Sequence, residues 1–189
     1  MKQPDKLLAV KIIKKENVSS VGGILSYENE IRTLKEVSAH RNIVDFIQVL
    51  HGPANLYIVM EGFKHDLFNF MEQYKVKVDT NITGLILKEV LSGVAHLAQH
   101  YMIHRDIKPE NILVHVATND IVVKLCDFGL CKKLDPHVTT ISRDFAGSPG
   151  FFAPELITNT TVDPYKTDIF SVGSTALEML TSVEFFTKK

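Results

Sequence analysis

The chain has 189 residues, 45% of them hydrophobic, and a net charge of −1 from 21 Lys plus Arg against 22 Asp plus Glu. That balance argues against a disordered chain and offers no basic footprint for nucleic acid, while the length suits one or two domains with a sizeable core. The only cysteines, Cys126 and Cys131, show neither metal-ligand spacing nor a disulfide framework, so a reducing, intracellular and cytoplasmic setting is expected. The apolar stretch at 7–13 is broken by Lys11 and is too short for a signal-peptide core. Residues 82–98 carry Lys88 and Glu89, so no membrane span is expected there.

In chain order, residues 7–13 are β-rich and bounded by charges, which predicts a strand. Gly22-Gly23 punctuates the chain before Ser26, the expected N-cap of a helix running to about Val37 with Ile31, Leu34 and Val37 as its apolar stripe. Residues 43–50 and 56–60 read as two more strands, split by the turn-forming His51-Gly52-Pro53-Ala54-Asn55. After Glu61-Gly62-Phe63 the character turns helical. Residues 66–74 form a short amphipathic piece, and 81–100 a long one carrying Leu85, Leu87, Val90, Leu91, Val94 and Leu97. Two short strands, 112–115 and 122–126, frame a loop through 117–120. Residues 130–152 are polar and irregular, as suits a mobile segment, and 165–180 return to an apolar helix. A small strand-plus-helix lobe (1–60) is thus expected ahead of a mainly helical one (64–189), with the boundary at 61–63.

The residues His104-Arg105-Asp106-Ile107-Lys108-Pro109-Glu110-Asn111 are followed in order by Asp127-Phe128-Gly129 and Ala153-Pro154-Glu155. Any one triplet is weak, but a long loop followed by two ordered triplets is specific, because chance matches must multiply. Together they resemble the catalytic loop, metal-binding turn and activation-segment anchor of the protein-kinase family. The resemblance implies an α+β, two-lobed kinase-like fold truncated at both ends, with a three-stranded remnant sheet and one helix before a mainly helical lobe. It implies transfer of the γ-phosphate of ATP to Ser or Thr hydroxyls of a protein substrate, with ATP and Mg²⁺ as cofactors. The family's Gly-rich loop is expected before Lys11, and Gly22-Gly23 has neither its place nor its spacing. Weak nucleotide binding and poor turnover are therefore expected of this chain. The competing expectation is a catalytically impaired, pseudokinase-like binding or scaffold module; a different nucleotide-using enzyme on a kinase-like fold is a third.

The resemblance also assigns roles. Asp106 orients or accepts the substrate hydroxyl proton, and Lys108 steadies the γ-phosphate. Asn111 and Asp127 offer a neutral and an anionic oxygen suited to Mg²⁺. Lys11, within Ala9-Val10-Lys11, matches the family's ATP lysine, and Glu30 its partner. Glu28 lies about 200° around the helix from Glu30, at about 100° per residue, so both cannot face the lysine. Met60 borders the adenine pocket, Glu61 and Phe63 offer backbone hydrogen bonds to the base, Asp66 lies at the ribose edge, and Ala9, Leu67 and Leu113 sandwich the adenine. Phe46, Leu34, Phe128 and His104 match the family's apolar column between the lobes. Asp168 matches the aspartate that anchors the catalytic loop, with Phe170 where a Trp often stands.

On regulation and substrate, Ser148 stands where a Thr commonly contacts the catalytic aspartate. The position four residues earlier, phosphorylated in many family members, holds Asp144, for which two readings stand: a carboxylate paired with Arg105 and Lys132 in place of a phosphate, or a solvated loop aspartate. Thr139, Thr140 and Ser142 are candidate phosphosites, and Glu155 is expected to lack the arginine partner it has in the family. Glu110 and Asp66 are placed to meet an arginine two or three residues before the target; the plainer alternative is a solvated Glu110 and an Asp66 that caps the helix after it.

Overall fold

The computed structural model describes residues 7–18, 21–74, 78–117, 120–142 and 144–181. Strands β1 (Leu8–Lys14), β2 (Phe46–His51) and β3 (Asn55–Glu61) form an antiparallel sheet in the order β1-β3-β2, and helix α1 (Val21–Val37) lies between β1 and β2 in sequence. Next come β4 (His65–Asp66), α2 (Leu67–Tyr74), α3 (Thr80–Gln99) and β5 (Met102–Ile103). The hairpin β6 (Ile112–Ala117) and β7 (Asp120–Leu125) follows, then the short strands β8 (Lys132–Lys133) and β9 (Ile141–Ser142). The one-turn helix α4 (Glu155–Thr158), β10 (Thr161–Val162) and α5 (Pro164–Thr181) complete the described elements.

Alternation along β1 leaves Leu8, Val10 and Ile12 exposed and turns Lys11 and Ile13 inward. Strand β1 is the sheet's edge, as the three-strand expectation has it. The strand predicted at 43–50 begins only at Phe46. Ile43 and Val44 are buried elsewhere: Val44 N donates to Leu125 O (2.9 Å) and Leu125 N to Asn42 O (2.8 Å), a parallel bridge to β7. One apolar run is thus shared between two sheets, which periodicity alone does not reveal.

Helix α1 starts at Val21, five residues before the predicted cap, with Gly22-Gly23 inside it. Ser26 does not cap; its hydroxyl donates to Gly129 O across the molecule (3.2 Å). Helix α2 begins one residue later than predicted because Asp66 caps it, Oδ1 accepting Asn69 N and Oδ2 accepting Asn69 Nδ2, both at 2.7 Å. Asp79 does the same for α3 through Asn81 N (2.8 Å). The buried face of α3 is Ile86, Val90, Gly93, Val94 and Leu97, whereas the predicted core residues Leu85 and Leu91 face outward. Gly93 allows a close approach there: a Cβ would stand 3.0 Å from both Asn42 O and Leu125 Cδ1, tighter than an ordinary contact. The β6–β7 pairing runs out to Ala117↔Asp120, so the predicted loop at 117–120 is narrower than expected, and Thr118 and Asn119 lie outside the described residues.

A continuous apolar core joins Leu34 and Val37 of α1 and Ile58 of β3 to Ile86, Val90, Leu97, Ile107, Ile112, Leu125 and Phe128. Phe128 and Leu34 are fully enclosed, Phe46 packs at the margin, and the His104 and Phe128 rings meet at 5.1 Å. The apolar column expected from the sequence is therefore physically contiguous with the core. Among the described residues no helix is long and apolar enough to cross a membrane.

Candidate active site

The strand alternation that turns Lys11 inward meets the buried face of α1 at Glu30. Lys11 Nζ donates to Glu30 Oε1 (2.7 Å) and Oε2 (2.9 Å) and to Asp127 Oδ1 (2.8 Å). Glu30 is buried and Glu28 exposed, as the helical angle between them requires. Burial alone would lower the Lys11 ammonium, but the Glu30 and Asp127 carboxylates hold it above its ordinary value. Burial would raise Asp127, and Lys11 instead holds it below the usual carboxylate range. For Glu30 burial wins, and its carboxyl is raised despite Lys11. Asp127 sits at φ +59°, left-handed backbone that Asp tolerates better than most residues.

The second cluster lies in the loop after β5. Asp168 of α5 is buried beneath it and accepts His104 N (2.7 Å) and Arg105 N (2.9 Å), which holds Arg105 at φ +69°. Strain of this kind persists only where surrounding contacts over-determine the backbone. Asp106 Oδ1 accepts the Ser148 hydroxyl (2.8 Å), and Oδ2 accepts Asn111 Nδ2 (2.9 Å) and lies 3.1 Å from Lys108 Nζ. Lys108 Nζ also donates to Ser148 Oγ (2.6 Å). Asn111 Nδ2 bonds Asp106 O as well (2.8 Å), so the amide nitrogen is committed and the carbonyl oxygen is the atom left for a cation. Cys126 N donates to Asn111 O (3.0 Å), which ties this cluster to the strand end that carries Asp127.

Asn111 and Asp127 supply hard oxygen donors, one of them kept anionic, which fits Mg²⁺; that ion usually takes one or two protein ligands and fills its remaining sites with water and phosphate oxygens. Among the described residues no group of three or more His, Cys, Asp or Glu side chains could hold a metal by itself. Burial pushes the flanking thiols of Cys126 and Cys131 up to about 12, which leaves them unreactive at neutral pH.

The positions expected around the adenine are less uniform. Ala9 pairs with Met60 across β1 and β3, and Leu113 pairs with Asp66 across β6 and β4. Leu67 is fully enclosed in the core and has no surface for a base, which corrects its expected place in the sandwich. Glu61 N is taken by Asp45 O (3.0 Å) and Gly62 N by Leu7 O (2.7 Å), so Glu61 can offer a base only its carbonyl; Phe63 follows beyond this ladder. Both carboxylate oxygens of Asp66 are engaged by Asn69, the capping alternative. The Glu61 side chain is itself buried, accepting Asp45 N (2.7 Å) and pairing with Lys124 (2.5 Å). Lys124 carries no motif, and sequence reasoning passed over it.

In the following segment, Asp144 Oδ2 meets Arg105 Nη1 (2.6 Å) and Lys132 Nζ (3.3 Å), and these cations hold its carboxyl down against burial. Thr139, Thr140 and Ser142 are exposed, and Glu155 is half-buried at the start of α4. Phe170 is exposed on α5. Sequence reasoning also missed Glu178, an acid in the apolar stripe of α5. It is buried, and its Oε2 has no hydrogen-bond partner among the described residues. Burial, with the Glu110 charge, pushes it up to about 7.

The model of the protein kinase domain family matches residues 1–189. The chain is 36% identical over 152 residues to the serine/threonine-protein kinase SMU1 of Mycosarcoma maydis, covering 80% of this chain and 19% of that protein. It is 31% identical over 184 residues to the serine/threonine-protein kinase unc-51 of Caenorhabditis elegans (92% and 21%), and 36% identical over 156 residues to the serine/threonine-protein kinase atg1 of Dictyostelium discoideum (80% and 22%). The aligned chain thus spans about a fifth of the length of these relatives. With the whole chain matched by one family model and both polar clusters on a contiguous core, the chain belongs to the protein kinase domain family.

Proposed function

We propose that this domain transfers the γ-phosphate of Mg²⁺-ATP to Ser or Thr hydroxyls of a protein substrate. The observation that carries the reading is the joining of two clusters, Lys11–Glu30–Asp127 and Asp106–Lys108–Asn111–Ser148, through the Cys126–Asn111 backbone bond. Bound Mg²⁺ supplies neutralisation of the phosphate charge. Asn111 and Asp127 are the residues to hold it, and Lys11, kept protonated by its carboxylates, is the cation for the nucleotide's phosphates. Asp106 is the base: bridged to Ser148 and Asn111, it can align an incoming hydroxyl and take its proton. Lys108 stands beside it, placed to meet the transferring phosphoryl group. For the adenine, the residues assigned by position are Ala9 and Met60, paired across β1 and β3, with Glu61, Phe63 and Leu113 of β6. The test is transfer of labelled γ-phosphate to Ser and Thr peptides, with Tyr peptides and Mg²⁺ removal as the negative arms. Transfer to Tyr alone, or without divalent cation, contradicts the reading.

The substrate preference proposed here is for arginine two or three residues before the target. With Asp66 engaged as a cap, the acids that support it are Glu110, exposed on the catalytic loop, and Glu178, buried with an oxygen that has no partner among the described residues. A guanidinium fork satisfies such an oxygen directionally, and a hydrogen bond to a charged group is worth about 1.5–3 kcal/mol. Glu178→Ala is therefore expected to lower kcat/KM for an arginine-containing peptide by about tenfold or more while sparing a neutral peptide. Because Glu178 titrates near 7, it is protonated below that pH and anionic above it. The arginine preference should accordingly grow as pH rises from about 6 to about 8. A preference that is absent, or flat with pH in the unsubstituted protein, contradicts this assignment.

A further inference from the structure

Ser26, Asn29, Thr33 and Glu36 stand at i, i+3, i+7 and i+10 on α1 and so share one face of the helix. Each reaches the short stretch that follows Asp127-Phe128. The Ser26 hydroxyl donates to Gly129 O (3.2 Å), and Asn29 Nδ2 donates to Cys131 O (2.6 Å). Thr33, buried, faces the Cys131 thiol and offsets part of the rise that burial imposes on it, and Glu36 pairs with Lys133 (2.5 Å). The contacts advance together along both segments, from 26 to 36 on the helix and from 129 to 133 on the strand side. Arg32 donates to Asn29 Oδ1 (3.1 Å), which leaves the Asn29 nitrogen free to face the backbone carbonyl.

Among the described side chains, the fully enclosed apolar anchors of α1 are at its other end, with Ile31 packed at the core margin. Leu34 and Val37 are fully enclosed, whereas Ser26 is exposed and Glu30 lies between the two regions. A helix held only by its last turns could pivot about them and carry Glu30 away from Lys11. We propose that Ser26 and Asn29 are positioning residues, which fasten the first half of α1 to the Gly129–Cys131 backbone and so hold Glu30 against Lys11. The inference rests on the kinase reading of the Lys11–Glu30 pair but concerns geometry that can be tested without turnover.

The same contacts couple the two ends of the site. A Cβ at Gly129 would lie 3.5 Å from Asp127 Oδ1, 3.7 Å from Glu30 Oε2 and 3.8 Å from Ser26 Oγ, so the fastening point adjoins both carboxylates that face Lys11. A displacement of residues 129–131 would therefore move α1 and Asp127 together. The Glu36–Lys133 pair is partly exposed, so solvent screens it and its contribution is small beside the two hydrogen bonds.

The test reads Lys11 directly. In the full chain, the rate at which an amine-acylating reagent labels Lys11 at fixed pH is followed by mass spectrometry, with the exposed Lys88 as internal reference. Paired Lys11 is protonated and slow. Asn29→Asp is nearly isosteric but cannot donate to Cys131 O, and Ser26→Ala removes the other donor. Each is expected to speed Lys11 labelling about five-fold, the scale of one lost hydrogen bond, with Lys88 unchanged. The added charge of Asn29→Asp would by itself slow labelling, so acceleration separates undocking from electrostatics. Ser26→Thr keeps the hydroxyl and is expected to label as the unsubstituted chain does. Unchanged Lys11 labelling in the folded variants overturns the proposal, as does acceleration in Ser26→Thr equal to that in Ser26→Ala. If Asn29→Asp does not fold, as judged by its melting curve, the Ser26 pair decides. A chain without kinase activity but with accelerated Lys11 labelling keeps this inference and refutes the functional reading alone.

Discussion

Asp127→Asn is expected to lower Mg²⁺-dependent phosphoryl transfer by at least about a hundredfold, the scale on which loss of one preorganised charged group at a reacting centre registers. The substitution keeps the shape of the side chain and removes its charge. That charge is what Lys11 holds ionised. Without it the cation would meet two neutral amide oxygens, one from Asn111 and one from the substituted side chain. The loss should be partly recovered at high Mg²⁺, because the weakened step is cation binding. Steady-state rates against Mg²⁺ concentration check this. A rate and Mg²⁺ dependence identical to those of the unsubstituted protein would remove Asp127 from the metal site.

Asp168→Ala is expected to cost about 3 kcal/mol of stability, with a fall in melting temperature of about 6–12 °C for a domain of this size. The cost arises because the His104 and Arg105 amides both donate to this one buried carboxylate and would be left without an acceptor. Activity should fall further than stability, since Arg105 at φ +69° is free to relax and Asp106 moves with it. Asp168→Asn keeps an acceptor for one of the two amides and is expected to fall between. Thermal melts and kcat for the three proteins decide it; equal melting points for Asp168→Ala and the parent would contradict the account.

Much of this arrangement is legible in the sequence because it is local. The catalytic loop, Asp127-Phe128-Gly129 and the strand around Lys11 each lie within a few residues, and a helical angle alone separates Glu30 from Glu28. What the sequence conceals is set by distant partners. Ile43 and Val44 look like the start of β2 but bond to Leu125 of β7. Ser26 looks like a cap and is a tertiary donor, while the helix begins a turn earlier. Leu67 has the composition of a pocket wall and the burial of a core residue, and Leu85 and Leu91 are apolar yet exposed because α3 presents its Gly93 side to β7. Glu178 and Lys124 belong to no motif, so only the folded chain reveals that one carries an oxygen with no partner among the described residues and the other a buried pairing with Glu61.

The segment around Asp144 follows the same logic. Its carboxylate bridges Arg105 of the catalytic loop and Lys132 of β8, a pairing a phosphate would make with more charge and more acceptors. Exposed ion pairs contribute little singly, but this one shares Arg105 with the Asp168 anchor and the Leu130 carbonyl (2.6 Å), so three contacts converge on one residue.

The central claim is that Asp106 is the base for phosphoryl transfer to a Ser or Thr hydroxyl. The most direct measurement is transfer of labelled γ-phosphate from Mg²⁺-ATP to a Ser peptide by the full-length protein carrying this domain, compared with its Asp106→Asn variant under saturating nucleotide. The expected result is Mg²⁺-dependent transfer that falls by about 10²–10⁴-fold in the variant, with nucleotide affinity preserved. Transfer that is undiminished in Asp106→Asn, or absent from the unsubstituted protein although nucleotide binds, would contradict it.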